Sequence, residues 1–172
     1  MKRIELRDLN KKFTDYADKE ITVCGWARTV RDSKQIAFIE LNDGGFKCVQ
    51  VVVEKNKVNN YDEIVKQNVG ASFMVKGKVI VTPNAKQPFE INASEVSVLG
   101  ESDTDYPLQK KRHTIEFLRT IPTIRPRGNL FNAVFRVRSV AAFAIHKYFH
   151  DRNFVYLHTP IITSSDSEGA GE

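Results

Sequence analysis

A small closed β-barrel followed by the opening of a mixed α+β domain is the fold class that the sequence predicts, and three observations predict it. Between residues 20 and 99, β-forming side chains come in five alternating runs. A short helical spacing interrupts them after the third run. Past Gly128 the apolar period changes from that of a strand to that of a helix.

The first three runs are residues 20–33, 35–42 and 46–53, with Asn42-Asp43-Gly44-Gly45 supplying the positive-φ residues of a tight turn before the third. They form a meander. Tyr61, Ile64 and Val65 have helical spacing, so a helix is placed over 60–67, and strands resume at 71–81 and 89–99. Three strands, a helix and two strands is the order of the all-β OB-fold barrel, for which an SH3-like or other small barrel is the alternative. The polar run Glu101-Ser102-Asp103-Thr104-Asp105-Tyr106-Pro107 ends in a proline that fixes an extended path, and the hinge is placed there. Residues 108–128 are short, basic and interrupted by Pro122 and Pro126. The expected division is 1–100, barrel; 101–128, hinge; and 129–172, the start of a second domain.

That start is a helix from Asn129, a plausible N-cap, to about Arg152, with Val134, Val137, Ala141, Ile145 and Tyr148 in one stripe. Phe131, Phe135, Val140, Phe143 and Phe149 widen the apolar surface beyond that stripe. Burial against a second subunit or deep within one large domain both account for it. Phe154-Val155-Tyr156-Leu157-His158-Thr159 then reads as a short strand closed by Pro160, which cannot donate to a ladder.

Composition narrows the function. The 172 residues carry 26 Lys and Arg against 21 Asp and Glu, a net charge of +5 that favours a polyanionic partner weakly, because the excess is spread along the chain. Cys24 and Cys48 stand apart with no CxxC or Cys/His cluster, which removes zinc, thioredoxin-like and disulfide-scaffold readings, and no metal ligands are assigned. The N-terminus lacks an apolar signal core, and no run approaches the roughly 18 apolar residues of a membrane span. A cytoplasmic location is the expectation. Walker, Rossmann, nucleophile-elbow and zinc motifs do not occur.

Strand parity picks out candidate residues. Ala37, Ile39 and Leu41 share the aliphatic side of the second strand, as Val49, Val51 and Val53 do in the third, so Phe38 and Gln50 project outward. An aromatic ring beside an amide suits stacking on an unpaired base while hydrogen-bonding its edge. Arg28 on the first strand joins them as a phosphate or base contact, subject to a bulge near Gly25-Trp26 that would flip the alternation. The alternative is a packed Phe38, a solvated Gln50 and an ordinary surface Arg28. Trp26 is assigned to structure. Lys110-Lys111-Arg112-His113 offers a short basic run to an RNA backbone, though such runs are commonly solvated. Glu168, in a loop of small residues, suits an ammonium ligand.

Taken together, Tyr106-Pro107-Leu108-Gln109-Lys110-Lys111-Arg112-His113, Glu116-Phe117-Leu118-Arg119, Arg125-Pro126-Arg127 and the run from His158-Thr159-Pro160 to Glu168-Gly169-Ala170-Gly171-Glu172 resemble the asparaginyl-tRNA synthetases. These are class II enzymes of the subgroup shared with the aspartyl and lysyl enzymes. Aspartyl relatives typically follow Glu-Gly-Ala with Arg-Asp where this chain has Gly171-Glu172. The resemblance implies a homodimer with an N-terminal anticodon-binding OB-fold, a hinge and an antiparallel-sheet catalytic domain. It places Arg28, Phe38 and Gln50 on the central anticodon uridine and Glu168 on the α-ammonium of the amino acid. It assigns Phe131, Phe135, Phe143 and Pro160 to motif 1, the dimer interface. The implied reaction activates L-asparagine with ATP and Mg²⁺ and passes the acyl group to tRNA. The ATP-binding motifs 2 and 3 are expected beyond Glu172, so this segment by itself is expected to be inactive. An aspartyl or non-discriminating ligase and a non-catalytic RNA-binding paralogue are the competing expectations.

Overall fold

The computed structural model describes residues 3–85 and 87–162. It divides into two compact units, Met1–Asn132 and Ala133–Glu172.

Five strands form the wall of the first unit: β1 (Glu20–Asp32), β2 (Ile36–Asn42), β3 (Val49–Glu54), β4 (Ser72–Val81) and β5 (Phe89–Gly100). Their order in the closed barrel is β1-β2-β3-β5-β4, with β3 and β5 parallel and the other pairs antiparallel. Alternation explains the filling. Ile21, Val23, Ala37, Ile39, Leu41, Val49, Val51, Val53, Phe73, Val75, Val79 and Ile91 are all buried in one cluster. Gly77 stands at an inward position between Val75 and Val79, where a Cβ would lie 2.4 Å from the Asn92 carbonyl oxygen. Only glycine lets β4 and β5 approach that closely.

Two helices plug the barrel. α1 (Leu6–Lys12) buries Leu6 and Leu9 completely, and the Asp43 carboxylate accepts a hydrogen bond from the Leu6 amide at 2.8 Å. At seven residues, it is shorter than the span over which apolar periodicity separates a helix from a loop. α2 (Tyr61–Val65) lies within the expected 60–67 and buries Tyr61 and Ile64. In the turn at 42–45 only Gly44 takes a positive φ, +97°, and Asn42 Oδ1 accepts from the Gly44 amide while Asn42 Nδ2 donates to the Gly45 carbonyl. The third strand begins at Val49 rather than residue 46. Cys24 and Cys48 are free and half-buried.

The expected hinge, 101–128, is packed as part of the barrel unit. It contains α3 (Ile115–Thr120), whose N-cap Thr114 accepts from the Phe117 amide, and it buries Leu108 and Leu118. Three ties strap it down. Asn68 Nδ2 donates to the Ser102 carbonyl, the Tyr106 ring lies over Gly70, and the Arg127 guanidinium sits 4.2 Å from the centroid of Trp26. At Gly70, φ is +94° and a Cβ would come within 3.0 Å of the Tyr106 ring.

α4 (Asn129–His150) begins in the first unit and is the helix of the second. A left-handed Asn153 ends it, and Phe154 then packs edge-on against Phe149, as Tyr156 does against His146. The strand expected over 154–159 is absent: residues 154–160 have no secondary structure. A strand exists only with a ladder partner, and no strand occurs among the described residues of this unit. No helix is long and apolar enough to cross a membrane among the described residues.

The Tyr61 hydroxyl donates to Asp32 Oδ1 at 2.7 Å. Burial, then this bond to a carboxylate, pushes the phenol up to about 12 from 10.0, while the same bond and the Lys34 amide hold Asp32 below its usual value. A raised phenol pKa stabilises the fold fully below pH 10 and stops doing so as pH climbs through 12. Denaturation midpoints should fall over that interval, and Tyr61→Phe should remove that part of the decline. Trp26 is the sole tryptophan, so its emission reports the strap. Arg127→Ala should shift that emission to longer wavelength and cost about 0.5–2 kcal/mol in urea unfolding.

Candidate nucleic-acid interface

Two cross-strand rows stand on the outside of the β1-β2-β3 wall. Arg31 pairs with Phe38, and Phe38 with Val52; in the adjoining row Thr29 pairs with Glu40, and Glu40 with Gln50. Side chains directly opposite on neighbouring strands share a face. The parallel pairing of Val52 with Asn92 continues the first row onto β5. Gln50 Nε2 donates to Glu90 Oε2 at 3.3 Å, which ties the second row to that strand. The face therefore offers a half-exposed ring, a guanidinium 5.8 Å from its centroid, an oriented amide and two carboxylates. Thr29 Oγ1 and Asn92 Oδ1, also on this face, are buried with no hydrogen-bond partner.

The structure thus brings Phe38 and Gln50 to one surface and takes Arg28 elsewhere. β1 alternates with its odd residues inward as far as Ala27, which pairs with Leu41; the next pair is Thr29 with Glu40, and Arg28 is the extra residue of a bulge. Past the bulge the sides exchange, so Val30 turns inward opposite Ile39 while Arg31 turns outward opposite Phe38. Arg28 reaches the strap instead. Its Nη1 donates to the Arg127 carbonyl at 2.8 Å and its Nη2 to Asn129 Oδ1 at 2.7 Å. The cation beside Phe38 is Arg31, which sequence parity missed because the bulge falls at residue 28 rather than at Gly25-Trp26. The spacing Ala27 to Val30, three residues between inward apolar positions instead of two, was the available signal.

The basic run is partly used within the protein. Lys110, Lys111 and Arg112 are exposed, whereas His113 stacks on Phe117 at 5.1 Å and its Nε2 lies 3.0 Å from the Gln109 carbonyl. A cleft of about 340 Å³ beside them is lined by Arg28, Leu108, Leu118 and Asn129 among others.

Of the motif 1 residues, Phe131 is half-buried under the Arg125 guanidinium at 4.7 Å, and Phe135 is half-buried. Phe143 is 69% exposed, and Val137 and Val140 are similarly open. Pro160 is exposed in the irregular tail. Glu168 lies outside the described residues. No group of three or more His, Cys, Asp or Glu able to hold a metal ion occurs among the described residues.

Residues 21–99 match the tRNA anti-codon family, described as an OB-fold nucleic acid binding domain. The whole chain is 56% identical to the asparagine–tRNA ligase of Clostridium kluyveri and 58% identical to that of Alkaliphilus oremlandii. It spans 37% of the length of each. Among solved structures, asparaginyl-tRNA synthetase from Pyrococcus horikoshii complexed with asparaginyl-adenylate aligns at a TM-score of 0.86 and 18% identity, over 99% of this chain and 39% of that one. A putative aspartyl-tRNA synthetase from Leishmania major aligns at 0.78 and 17%, over 92% and 34%. At those identities the structural likeness shows a shared fold. The chain is similar over its whole length to part of the asparagine–tRNA ligases, and its closed five-stranded barrel has the OB fold.

Proposed function

We propose that this chain is the anticodon-binding part of an asparagine–tRNA ligase, a whole enzyme that activates L-asparagine with ATP and passes it to its tRNA. The observation that carries the reading is the ring of Phe38, half-exposed between Arg31 and the Gln50 amide on one face of an OB-fold. A base set on the ring gains the stacking term, Arg31 supplies a cation to it or to its phosphate, and Gln50 meets its edge. The bond to Glu90 fixes which end of the amide points back to the protein, leaving the carbonyl end for a base N–H. Arg31 takes the place first expected for Arg28.

ATP and Mg²⁺ belong to the whole enzyme in this reading. The described residues present no acidic or histidine cluster for the metal, and no step is assigned to them. Glu168 keeps its proposed pairing with the substrate's α-ammonium group. The open apolar positions of α4, Val137, Val140 and Phe143, support a role for this helix in pairing two copies of the enzyme, together with Phe131, Phe135 and Pro160.

Phe38→Ala should weaken binding of an RNA stem-loop carrying the asparagine anticodon by about 1–3 kcal/mol, with the circular dichroism spectrum unchanged. Equal affinity for the variant and the unaltered chain removes Phe38 from the site. In the full-length enzyme, pyrophosphate exchange into ATP should require asparagine and fail with aspartate. Equal exchange with both amino acids would instead mark a non-discriminating ligase.

A further inference from the structure

Arg28 lies one residue from the outward face yet spends both terminal nitrogens on its own chain, on the Arg127 carbonyl and Asn129 Oδ1. Building on the base-reading face proposed above, we infer that Arg28 is a positioning residue for RNA recognition, one that holds the β1 bulge in place so that Arg31 stands beside Phe38, without itself touching RNA.

Ala27 and Val30 must both face inward, opposite Leu41 and Ile39, and they are three residues apart. One residue between them has to leave the alternation, and backbone sterics alone do not decide whether it is residue 28 or 29. The guanidinium fork decides it. Two N–H donors directed at two fixed oxygens, 2.8 and 2.7 Å away, pull residue 28 out of the ladder toward the strap. Thr29 is thereby left in register with Glu40, and Arg31 with Phe38. The strap end of the fork is itself held, because Arg127 packs on Trp26 and its Nη1 reaches the Tyr106 hydroxyl at 3.4 Å. Asn129 is followed within the same turn by Asn132, whose Nδ2 donates to the Gly44 carbonyl at 2.8 Å. Without the fork the slack can move along the strand, its twist changes, and the Arg31 guanidinium loses its place 5.8 Å from the Phe38 centroid. A lysine cannot substitute, since a single ammonium on a flexible stem lacks the planar fork that spans both oxygens.

The test is a double-mutant cycle on the full chain, read as the Kd for the asparagine anticodon stem-loop by fluorescence anisotropy. Arg31→Ala should weaken binding about tenfold, the order of one lost cation contact. Arg28→Ala and Arg28→Lys should each weaken it several-fold, and Arg28→Ala should add nothing once Arg31 is alanine. Asn129→Ala, which removes one end of the fork from outside the barrel, should go in the same direction. Should Arg28→Ala fail to fold, Arg28→Lys and Asn129→Ala in the two Arg31 backgrounds carry the same comparison. Additive losses, or an Arg28→Lys variant that binds like the unaltered chain, would show Arg28 acting as a direct charge contact or not at all, and either overturns the inference. Unchanged affinity in both Phe38→Ala and Arg31→Ala has a separate meaning, since it removes the base-reading face itself and the object that Arg28 positions.

Discussion

The barrel closes because β1 serves two partners. Its first half pairs with β4 as far as Trp26, its second half pairs with β2, and at Ala27 the ladder to Gly70 and Ala71 gives out. A strand that bends across two neighbours cannot keep uniform alternation along thirteen residues, and the bulge at Arg28 takes up the difference. The side on which the last residues of β1 stand changes at that one irregular residue. Ile21, Val23 and Ala27 lie inside before it, Val30 packs against the core after it, and Arg31 turns out toward Phe38.

The same residue joins the wall to the strap. Segment 101–128 has the composition of a linker, polar and proline-interrupted, yet it carries two buried leucines and a guanidinium stacked on the only tryptophan. Polar composition describes how a segment meets water; it does not register long-range ties such as Arg28 to Arg127, separated by 99 positions. Boundaries drawn from local texture accordingly end the compact unit about thirty residues before packing does.

What was legible in the sequence follows from the range of the forces concerned. The five strands, their order and the outward side of Phe38 and Gln50 came from period-two alternation, which is local and repeated many times. The turn at Asn42 to Gly45 came from side chains that bond their own backbone. α1 escaped because two leucines three apart form no pattern until the barrel end receives them. Arg31 escaped because a single-residue slip reverses every assignment beyond it. The strand expected at 154–159 failed for a further reason: extended, apolar residues make a strand only when a ladder partner stands beside them.

Glu40 and Glu90 flank the Gln50 amide on a chain whose overall charge is positive. If the proposed reading holds, this local negative field acts as a filter on an incoming polyanion. Phosphates laid indiscriminately across the barrel would meet repulsion there, and a nucleotide would relieve it by turning donor hydrogens toward the carboxylates. Discrimination at such a surface arises as much from the wrong orientations it disfavours as from the contacts it rewards.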